Sequence, residues 1–301
     1  MGNVMRRDIP KHLTAGLQTI FFQEYNRPVD NEWEKIVTKV PSNRDKETYA
    51  WLGTTPAMRE FIDERLPGEM RENDFSITNK KFESTVGVSK DAIDDDQYGQ
   101  IRIRVQQMAE AARRYYDELT FTVLGAGEAT TYGSCYDGYE FFDTTHKEGS
   151  YYTTNQSNLG SSTLSETSLS AAKTAMRKFK DDRGKPMNII GDILVVPPDL
   201  EMDAIKLLKS ATSDASGNVN VHQGSFTLIV TPWITDTDAW YLLCGNRVTK
   251  PLIFQDREAT TFEALEGGTE TGFMRDMYYY GVKNRFNVGY GDWRMAYAST
   301  P

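Results

Sequence analysis

The sequence predicts an α+β fold, and three stretches of the chain support that prediction. Residues 97–124 have the apolar spacing of a long amphipathic helix. Residues 75–88 alternate apolar and polar side chains with a period of two, which is typical of β-strands. From residue 187 onwards, short apolar runs and helical patterns follow one another. Helices and strands that occupy such separate stretches are typical of an α+β protein.

The composition argues against several classes of protein. The 301 residues carry a formal net charge of −9, whereas a dedicated nucleic-acid binder presents a basic face. A protein that merely encloses nucleic acid is still compatible with this charge. The sequence contains no run of about 18 apolar residues and no secretory signal, so we expect no membrane span and no export. The two cysteines, Cys135 and Cys244, form no closely spaced pair, which suits a reducing cytoplasm better than a disulfide scaffold.

Two helices are predicted before the alternating stretch. Residues 11–25 place apolar side chains on one helical face, and Pro28 follows the last of them. Residues 56–65 form the second predicted helix, with Pro56 near its first turn.

Residues 75–88 are predicted to form a hairpin that turns near Asn79 and Lys80, inside flanks that extend over 69–92. The apolar residues of its two arms are Phe75, Ile77, Phe82 and Val86. An isolated two-stranded hairpin is marginally stable at best in water. We therefore expect these side chains to be covered by another surface, either in the same subunit or in a neighbouring one.

The predicted long helix is the element around which the rest of the chain is organised. It would be roughly 40 Å long at 1.5 Å per residue, which is well above the usual globular helix of about 11–12 residues. Its predicted core face has apolar residues three and four positions apart: Ile101, Val105, Met108, Ala112, Tyr115 and Leu119. The opposite face is mostly polar and includes Arg113. The apolar stripe indicates either an ordinary core helix or a backbone across which the subunit is laid.

The stretch after the long helix is rich in Gly, Ser, Thr, Asn and Tyr. Residues 135–146 are interpreted as a short strand pair and residues 150–162 as a loop. A helix is predicted over 165–180, capped by Ser165 or Thr167.

The last third of the chain is predicted to contain a compact α+β unit. Residues 191–198 form a buried strand, and residues 199–210 form a helix capped by Asp199, with Met202, Ile205 and Leu208 directed inward. Further strands are predicted at 227–234, 239–244 and 251–254, and strand character returns over 273–298.

A search for catalytic or ligand-binding motifs finds no convincing centre. The region from Cys135 to His146 also holds Glu140 and Asp143, so an acid–base or metal site can be imagined there. The acids at 94–96 do not continue with the spacing of a calcium loop, and no phosphate-binding loop or nucleophile elbow is present. We therefore predict no catalytic, cofactor-binding or metal-binding residues and favour a subunit of an assembly over an enzyme.

Six segments, taken together, resemble the major head subunit, or T protein, of Mu-like phages and prophages. They are GLQTIFFQEYN, FSITNKKFESTVGVSKDAIDDDQYG, CYDGYEFFDTTH, GKPMNIIGDILVVPP, TPWITDTDAWYLLC and VGYGDWRMAYAS. Each segment alone is a weak signal, but all six occur in the same order over nearly the whole chain.

The resemblance implies the Hong Kong ninety-seven-type fold of major capsid proteins, with five segments. They are an N-terminal arm (1–66), an extended loop hairpin (67–96), a peripheral domain built on the long spine helix (97–185), an axial domain (186–270) and strands returning to the peripheral domain (271–301). The neighbouring subunit's peripheral domain would then cover Phe75, Ile77, Phe82 and Val86.

The implied function is that of the head protein of a tailed bacteriophage or prophage. Such a protein self-assembles as hexamers and pentamers into an icosahedral shell that encloses double-stranded DNA without reading its sequence. The implied partners are other copies of the chain, a scaffold, a portal and a decoration protein, with no cofactor and no membrane. The expected location is the virion capsid, assembled in the bacterial cytoplasm. The alternatives are a tail or adaptor protein of the same virus, or an enzyme with a site near Cys135 and His146.

Overall fold

A computed structural model of the protein describes residues 9–49, 75–94, 98–148, 152–210, 219–265 and 276–301. The helices in these ranges are α1 (Ile9–Tyr25), α2 (Glu32–Ile36), α3 (Lys90–Asp94), α4 (Tyr98–Gly125), α5 (Glu166–Lys178) and α6 (Glu201–Lys209). The predicted helices 11–25 and 97–124 are confirmed as α1 and α4, and α4 has 28 residues. The predicted helix 56–65 lies outside the described residues.

The described strands fall into two groups along the chain. Those before α5 are β1 (Val37–Pro41), β2 (Lys46–Thr48), β3 (Ser76–Thr78), β4 (Lys80–Ser89), β5 (His146–Glu148), β6 (Tyr152–Gln156) and β7 (Leu159–Gly160). Those after α5 are β8 (Ile193–Val196), β9 (Thr227–Val230), β10 (Trp240–Leu243), β11 (Leu252–Leu265), β12 (Met277–Tyr290) and β13 (Ala296–Ser299).

The chain divides into two compact units, each assembled from three separate segments. The first unit takes Met1–Asn31, Asn79–Glu118 and Asp256–Phe286, and the second takes Glu32–Thr78, Leu119–Gln255 and Asn287–Pro301. Three of the five divisions fall inside α4, β11 and β12, so these elements contribute to both units. The five segments implied by the resemblance follow different boundaries, and their domain roles stay predictions.

The first unit has an apolar core between helices and a sheet. The buried residues of this core come from α1, α4, β4 and β12: Leu17, Phe21, Val88, Ile101, Val105, Met108, Ala109, Tyr278, Tyr280 and Val282. Leu17 and Phe21 of α1 are fully buried, so α1 is part of this core. Helix α1 buries its apolar face in this core, as an amphipathic helix does, and the role of residues 1–66 as an arm stays a prediction.

The sheet of the first unit is held by a long antiparallel ladder. Ten residues of β4 pair with β12, from Ser89 opposite Met277 to Lys80 opposite Phe286. In the first-unit part of β12, buried and half-buried residues alternate, because successive side chains point to opposite faces of the sheet.

The second unit is built on a five-stranded sheet with the order β7-β13-β10-β8-β9. Strands β8 and β10 are buried at every position, which is typical of strands covered on both faces. Helix α5 begins at a capping box in which the side chain of Ser165 accepts from the backbone of Ser168. The last strand, β13, pairs with β10, so the predicted returning segment 271–301 is divided between the two units.

The predicted hairpin over 75–88 is wrong. Strand β3 pairs with β2, Glu47 opposite Ile77, and β4 pairs with β12 instead of β3. Asn79 is buried and links the two strands without a hairpin turn. The alternation of apolar residues indicated which side chains share a face, but not which strands pair, because the alternation is the same whichever strand lies alongside. The paired strands β2 and β3 bracket residues 50–74.

Three smaller predictions are also wrong. Residues 135–145 contain no strand pair, and β6 and β7 occupy part of the predicted loop. Asp199 lies in a short 3-10 turn, and α6 has Leu200 at its N-cap without a side-chain cap. Met202 is 63% exposed, because Ala204 and Leu208 form the buried face of the short helix instead.

Candidate subunit-contact surface

The predicted core face of α4 is buried at both ends and half-buried between them. The exposed fraction is 0% for Val105, 4% for Ile101 and Met108, and 8% for Leu119. Ala112 and Tyr115 are half-buried. The stripe therefore leaves part of its surface accessible at these two residues.

A concave site lies where this part of α4 meets β4 and β12. The cavity has a volume of about 370 Å³, and the residues that line it include Phe82, Ala112, Tyr115 and Val282. Three of these residues, Phe82, Ala112 and Tyr115, were predicted from the sequence as contact or core positions. The structure brings them together because β4 directs Phe82 toward the face of the sheet that α4 covers.

Aromatic rings form the floor of this site. The ring of Phe82 lies 4.9 Å from that of Tyr115 and 4.7 Å from that of Phe286, measured between centroids. The ring of Tyr116 lies 4.7 Å from Phe286 on the inner side. Such close, tilted aromatic contacts fix the rings in place and present a firm apolar surface.

The remaining three predicted contact residues pack against other residues of their own chain, and one of them, Ile77, is fully covered there. Ile77 is 5% exposed and packs with Tyr49 and Ile253, and Phe75 is half-buried against the same cluster. A side chain at Gly289 would come within 2.6 Å of Ile77, so the glycine is needed for this close packing. Val86 is half-buried against the core of the first unit. Ile77 thus has no surface left to bury against a neighbour.

Charged side chains cross the exposed face of the same sheet. Lys283 of β12 donates to Glu263 of β11 at 2.9 Å, and Glu83 of β4 lies directly opposite Lys283. Two residues further along, Lys81 of β4 lies directly opposite Arg285. The first row alternates in sign across the strands, whereas the second places two cations side by side.

A polar cluster fixes the end of α1 on α4 and the sheet. The hydroxyl of Tyr25 lies 3.0 Å from that of Tyr116 and 2.9 Å from that of Thr260, and Asn284 donates to Tyr116 at 3.2 Å. Burial, reinforced by the neighbouring Tyr116, raises the pKa of the Tyr25 hydroxyl, which therefore stays protonated. Arg113, predicted on the polar face, donates to the backbone oxygen of Glu24 at 3.3 Å. Sequence reasoning missed this cluster, since its members are far apart in the chain.

The region considered as an enzyme site is a buried structural pair. Asp137 lies 2.6 Å from Nδ1 of His146, and the side chains of the pair are 5% and 0% exposed, respectively. The imidazole stacks on the indole of Trp293, with 4.2 Å between centroids and 3° between planes. A ring enclosed in this way has no open side for a substrate. Sequence reasoning missed Asp137 and did not connect Trp293 with His146.

The two cysteines are free thiols and are buried. The Sγ atom of Cys135 donates to the backbone oxygen of Gly291 at 3.6 Å. Burial raises the pKa of the Cys244 thiol, so it is held in its unreactive protonated form. Among the described residues, no cluster of metal-ligating side chains is present, and no helix has the length and apolarity needed to cross a membrane.

The fold defines the class of protein. The chain is similar to the procapsid of bacteriophage JBD30, at 29% identity and a TM-score of 0.59, over 96% of this chain and 75% of that one. The fold is therefore that of phage major capsid proteins, the Hong Kong ninety-seven type. A family model described as "Mu-like prophage major head subunit gpT" matches residues 11–163, 156–234 and 235–301. The chain belongs to this family.

Two curated relatives agree with this assignment. The Mu-like prophage FluMu major head subunit of Haemophilus influenzae is 30% identical over 270 residues, and the major capsid protein of Escherichia phage Mu is 28% identical over 278 residues. The alignments cover 89% and 92% of this chain. The chain spans 66% and 69% of the length of these two relatives.

Proposed function

We propose that this chain is the shell-forming subunit of a phage or prophage head, that it acts without catalysis, and that it encloses double-stranded DNA. The observation that supports the proposal most strongly is the match to a phage procapsid subunit over 96% of the chain. Membership of the head-subunit family agrees with it. Assembly would be driven by the burial of apolar surface between subunits, repeated at each contact of the shell.

The partners follow from this proposal. Copies of the chain would form hexamers and pentamers, with a scaffold, a portal and a decoration protein as further partners. The formal net charge of −9 supports holding DNA by confinement within the shell, because tight phosphate binding needs a basic surface. The location would be the virion capsid, assembled in the host cytoplasm.

We place the contact between neighbouring subunits at two parts of the chain. The first is the segment 50–74, which lies between the paired strands β2 and β3 in the chain and overlaps the expected extended loop at 67–96. The second is the concave site around Phe82, Ala112 and Tyr115, where apolar surface stays accessible. Burying a side chain such as Phe or Leu in such a site contributes roughly 1.5–3 kcal/mol before the loss of conformational freedom is counted.

The test is electron microscopy of the chain expressed with and without its scaffold, together with its size in solution. We expect closed shells or large capsomers. Rings or tubes would favour a tail or adaptor protein instead, and a small discrete oligomer under both conditions would contradict a shell function.

A matched variant separates folding from assembly. The backbone N–H of Tyr49 donates to the oxygen of Phe75 at 2.8 Å, so a short Gly/Ser linker in place of residues 50–74 is long enough to join β2 to β3. We expect this variant to fold with unchanged thermal unfolding but to form no closed shells. Normal shells from the variant would show that the segment is not an assembly element.

A further inference from the structure

The outer edge of β4 is available for pairing. The sheet has the order β1-β11-β12-β4, so among the described residues no strand pairs with the second edge of β4. Lys81, Glu83, Ser84 and Thr85 are exposed there. An edge strand presents backbone N–H and C=O groups in a row, and such a row can accept a strand from another chain.

The charges on β4 are arranged as if a further strand were to follow. The row Glu263, Lys283, Glu83 alternates in sign across β11, β12 and β4, and the next position outward would complete it with a cation. In the neighbouring row, Arg285 lies opposite Lys81 on one side and has its guanidinium 4.0 Å from the carboxylate of Glu258 on β11. The carboxylate pairs with Arg285, whereas Lys81 lies directly opposite a like charge, which is unfavourable. Lys81 would therefore gain from an anion on its outer side.

We propose that two copies of this chain pair their β4 strands edge to edge in an antiparallel, two-fold arrangement centred on Phe82. In this register Lys81 of each copy lies opposite Glu83 of the other, and Phe82 faces Phe82. Centring the contact on residue 81 or 83 would instead set Lys81 against Lys81 or Glu83 against Glu83. Because a two-fold contact is isologous, each favourable pair occurs twice.

The contact is continuous with the concave site described above. In each copy, Phe82 stays on the face of the sheet that α4 covers, next to Ala112 and Tyr115. Pairing would place the two cavities side by side across the two-fold axis and complete a sheet across both chains. The strand pairing itself is independent of the proposed shell function, and only the place of this contact within a shell rests on it.

A disulfide test determines the register. In the variant Phe82→Cys, the two new thiols would face each other at a cross-strand distance of about 4.5–5.5 Å between Cβ atoms, which an oxidant can bridge. The matched control Ser84→Cys carries the thiol two residues away, so the two copies would be separated by about 13 Å along the strands, too far for a bond. The wild-type chain, with only its buried cysteines, is the second control.

We expect a covalent dimer on a non-reducing gel for Phe82→Cys alone. A dimer that forms equally with Ser84→Cys, or no dimer with Phe82→Cys in folded protein, overturns the pairing. Formation of the disulfide-linked dimer is measured in whatever assembly the chain forms. Shells without the covalent dimer would contradict the strand pairing and leave the shell function intact. The covalent dimer without shells would support the strand pairing and contradict the shell function.

A charge exchange provides an independent test on exposed residues that leave the core untouched. Lys81→Glu alone places Glu against Glu twice, and Glu83→Lys alone places Lys against Lys twice. We expect each to weaken self-association roughly tenfold in analytical ultracentrifugation, and the double variant Lys81→Glu/Glu83→Lys to restore it. A double variant no better than the single ones, or single variants equal to the parent, contradicts the register.

Discussion

The two main sheets of the molecule differ in where their buried and exposed strands lie. In the second unit, β8 and β10 lie inside a five-stranded sheet and are buried at every position. In the first unit, β4 lies at the edge of its sheet, and five of its residues, at positions 80, 81, 83, 84 and 85, are exposed. In the second unit the fully buried strands therefore lie inside the sheet, between the edge strands β7 and β9. In the first unit the exposed residues lie on the edge strand β4, next to the concave apolar site where we propose that a further copy of the chain binds.

This difference separates two kinds of substitution. Changes inside either core should alter the stability of one chain. Changes at the β4 edge should alter association and leave the single chain intact.

The largest effect is expected from a charge in the core of the first unit. Val105 of α4 is 0% exposed, so Val105→Asp places an unpaired carboxylate among apolar side chains. A substitution of this kind costs several kcal/mol, and we expect no soluble folded protein. The matched control is Arg104→Asp, one residue along on the exposed side of the same helix. Equal soluble yields and equal circular dichroism spectra for the two variants would contradict the assigned core face.

The second prediction asks whether α1 is core or arm. Phe21 is 0% exposed and its ring lies 5.4 Å from that of Phe262. Phe21→Ala should therefore lower the free energy of unfolding by about 3–5 kcal/mol, as cavity-forming aromatic substitutions do. The control, Gln18→Ala on the exposed side of α1, should change it by less than about 0.5 kcal/mol. Urea unfolding of both variants decides the question, since a detached arm would leave Phe21→Ala as stable as the parent.

The long helix illustrates what periodicity can predict. A stripe spaced three and four apart over 97–124 defines one helix and one buried face, and the structure has α4 over Tyr98–Gly125. The burial of the apolar residues at both ends of this stripe could be predicted without knowing which element packs against them, because any apolar core would bury such a helix face. The half-burial of Ala112 and Tyr115 could not be predicted, since it depends on where β4 and β12 end up in space.

The strands illustrate the limit of the same reasoning. The period of two placed Phe82 and Val86 on one face, but it could not decide between β3 and β12 as the partner of β4. Contacts between distant segments carry no local signal at all. Arg113 donates to the backbone of Glu24, and His146 stacks on Trp293, and in both cases the partner is far away in the sequence.

The third prediction concerns the buried pair of the second unit. Asp137→Ala removes the acceptor that lies 2.6 Å from Nδ1 of His146 and leaves a buried N–H without a partner. Such a loss costs about 1–3 kcal/mol, to be measured as a lower midpoint of urea unfolding. Asp137→Asn keeps an oxygen acceptor at this place, and we expect it to lose clearly less. If both variants lose the same amount, the negative charge rather than the hydrogen bond is what His146 requires.

The smallest effect is expected at the turn before β2, where the carboxylate of Glu47 accepts three hydrogen bonds. The backbone N–H groups of Asn43 and Arg44 and the hydroxyl of Ser42 each lie 3.0 Å from the same carboxylate oxygen. The backbone N–H of Arg44, followed by that of Asn43 and by the hydroxyl of Ser42, holds the pKa of Glu47 below its usual range. Because the pKa is lower in the folded than in the unfolded state, this stabilisation is present above the ordinary carboxyl pKa and is lost as the pH falls through the lowered one.

Glu47→Gln should therefore reduce stability slightly at pH 7, and parent and variant should converge as the pH approaches 3. The comparison is a pair of urea unfolding curves, one for the parent and one for Glu47→Gln, at each pH. Glu47 is only half-buried, so solvent screens its interactions and the difference should be small. A gap between Glu47→Gln and the parent that stays constant from pH 7 to pH 3 would show that the charge of Glu47 has no part in closing the turn, and that the start of β2 depends on the β2–β3 pairing alone.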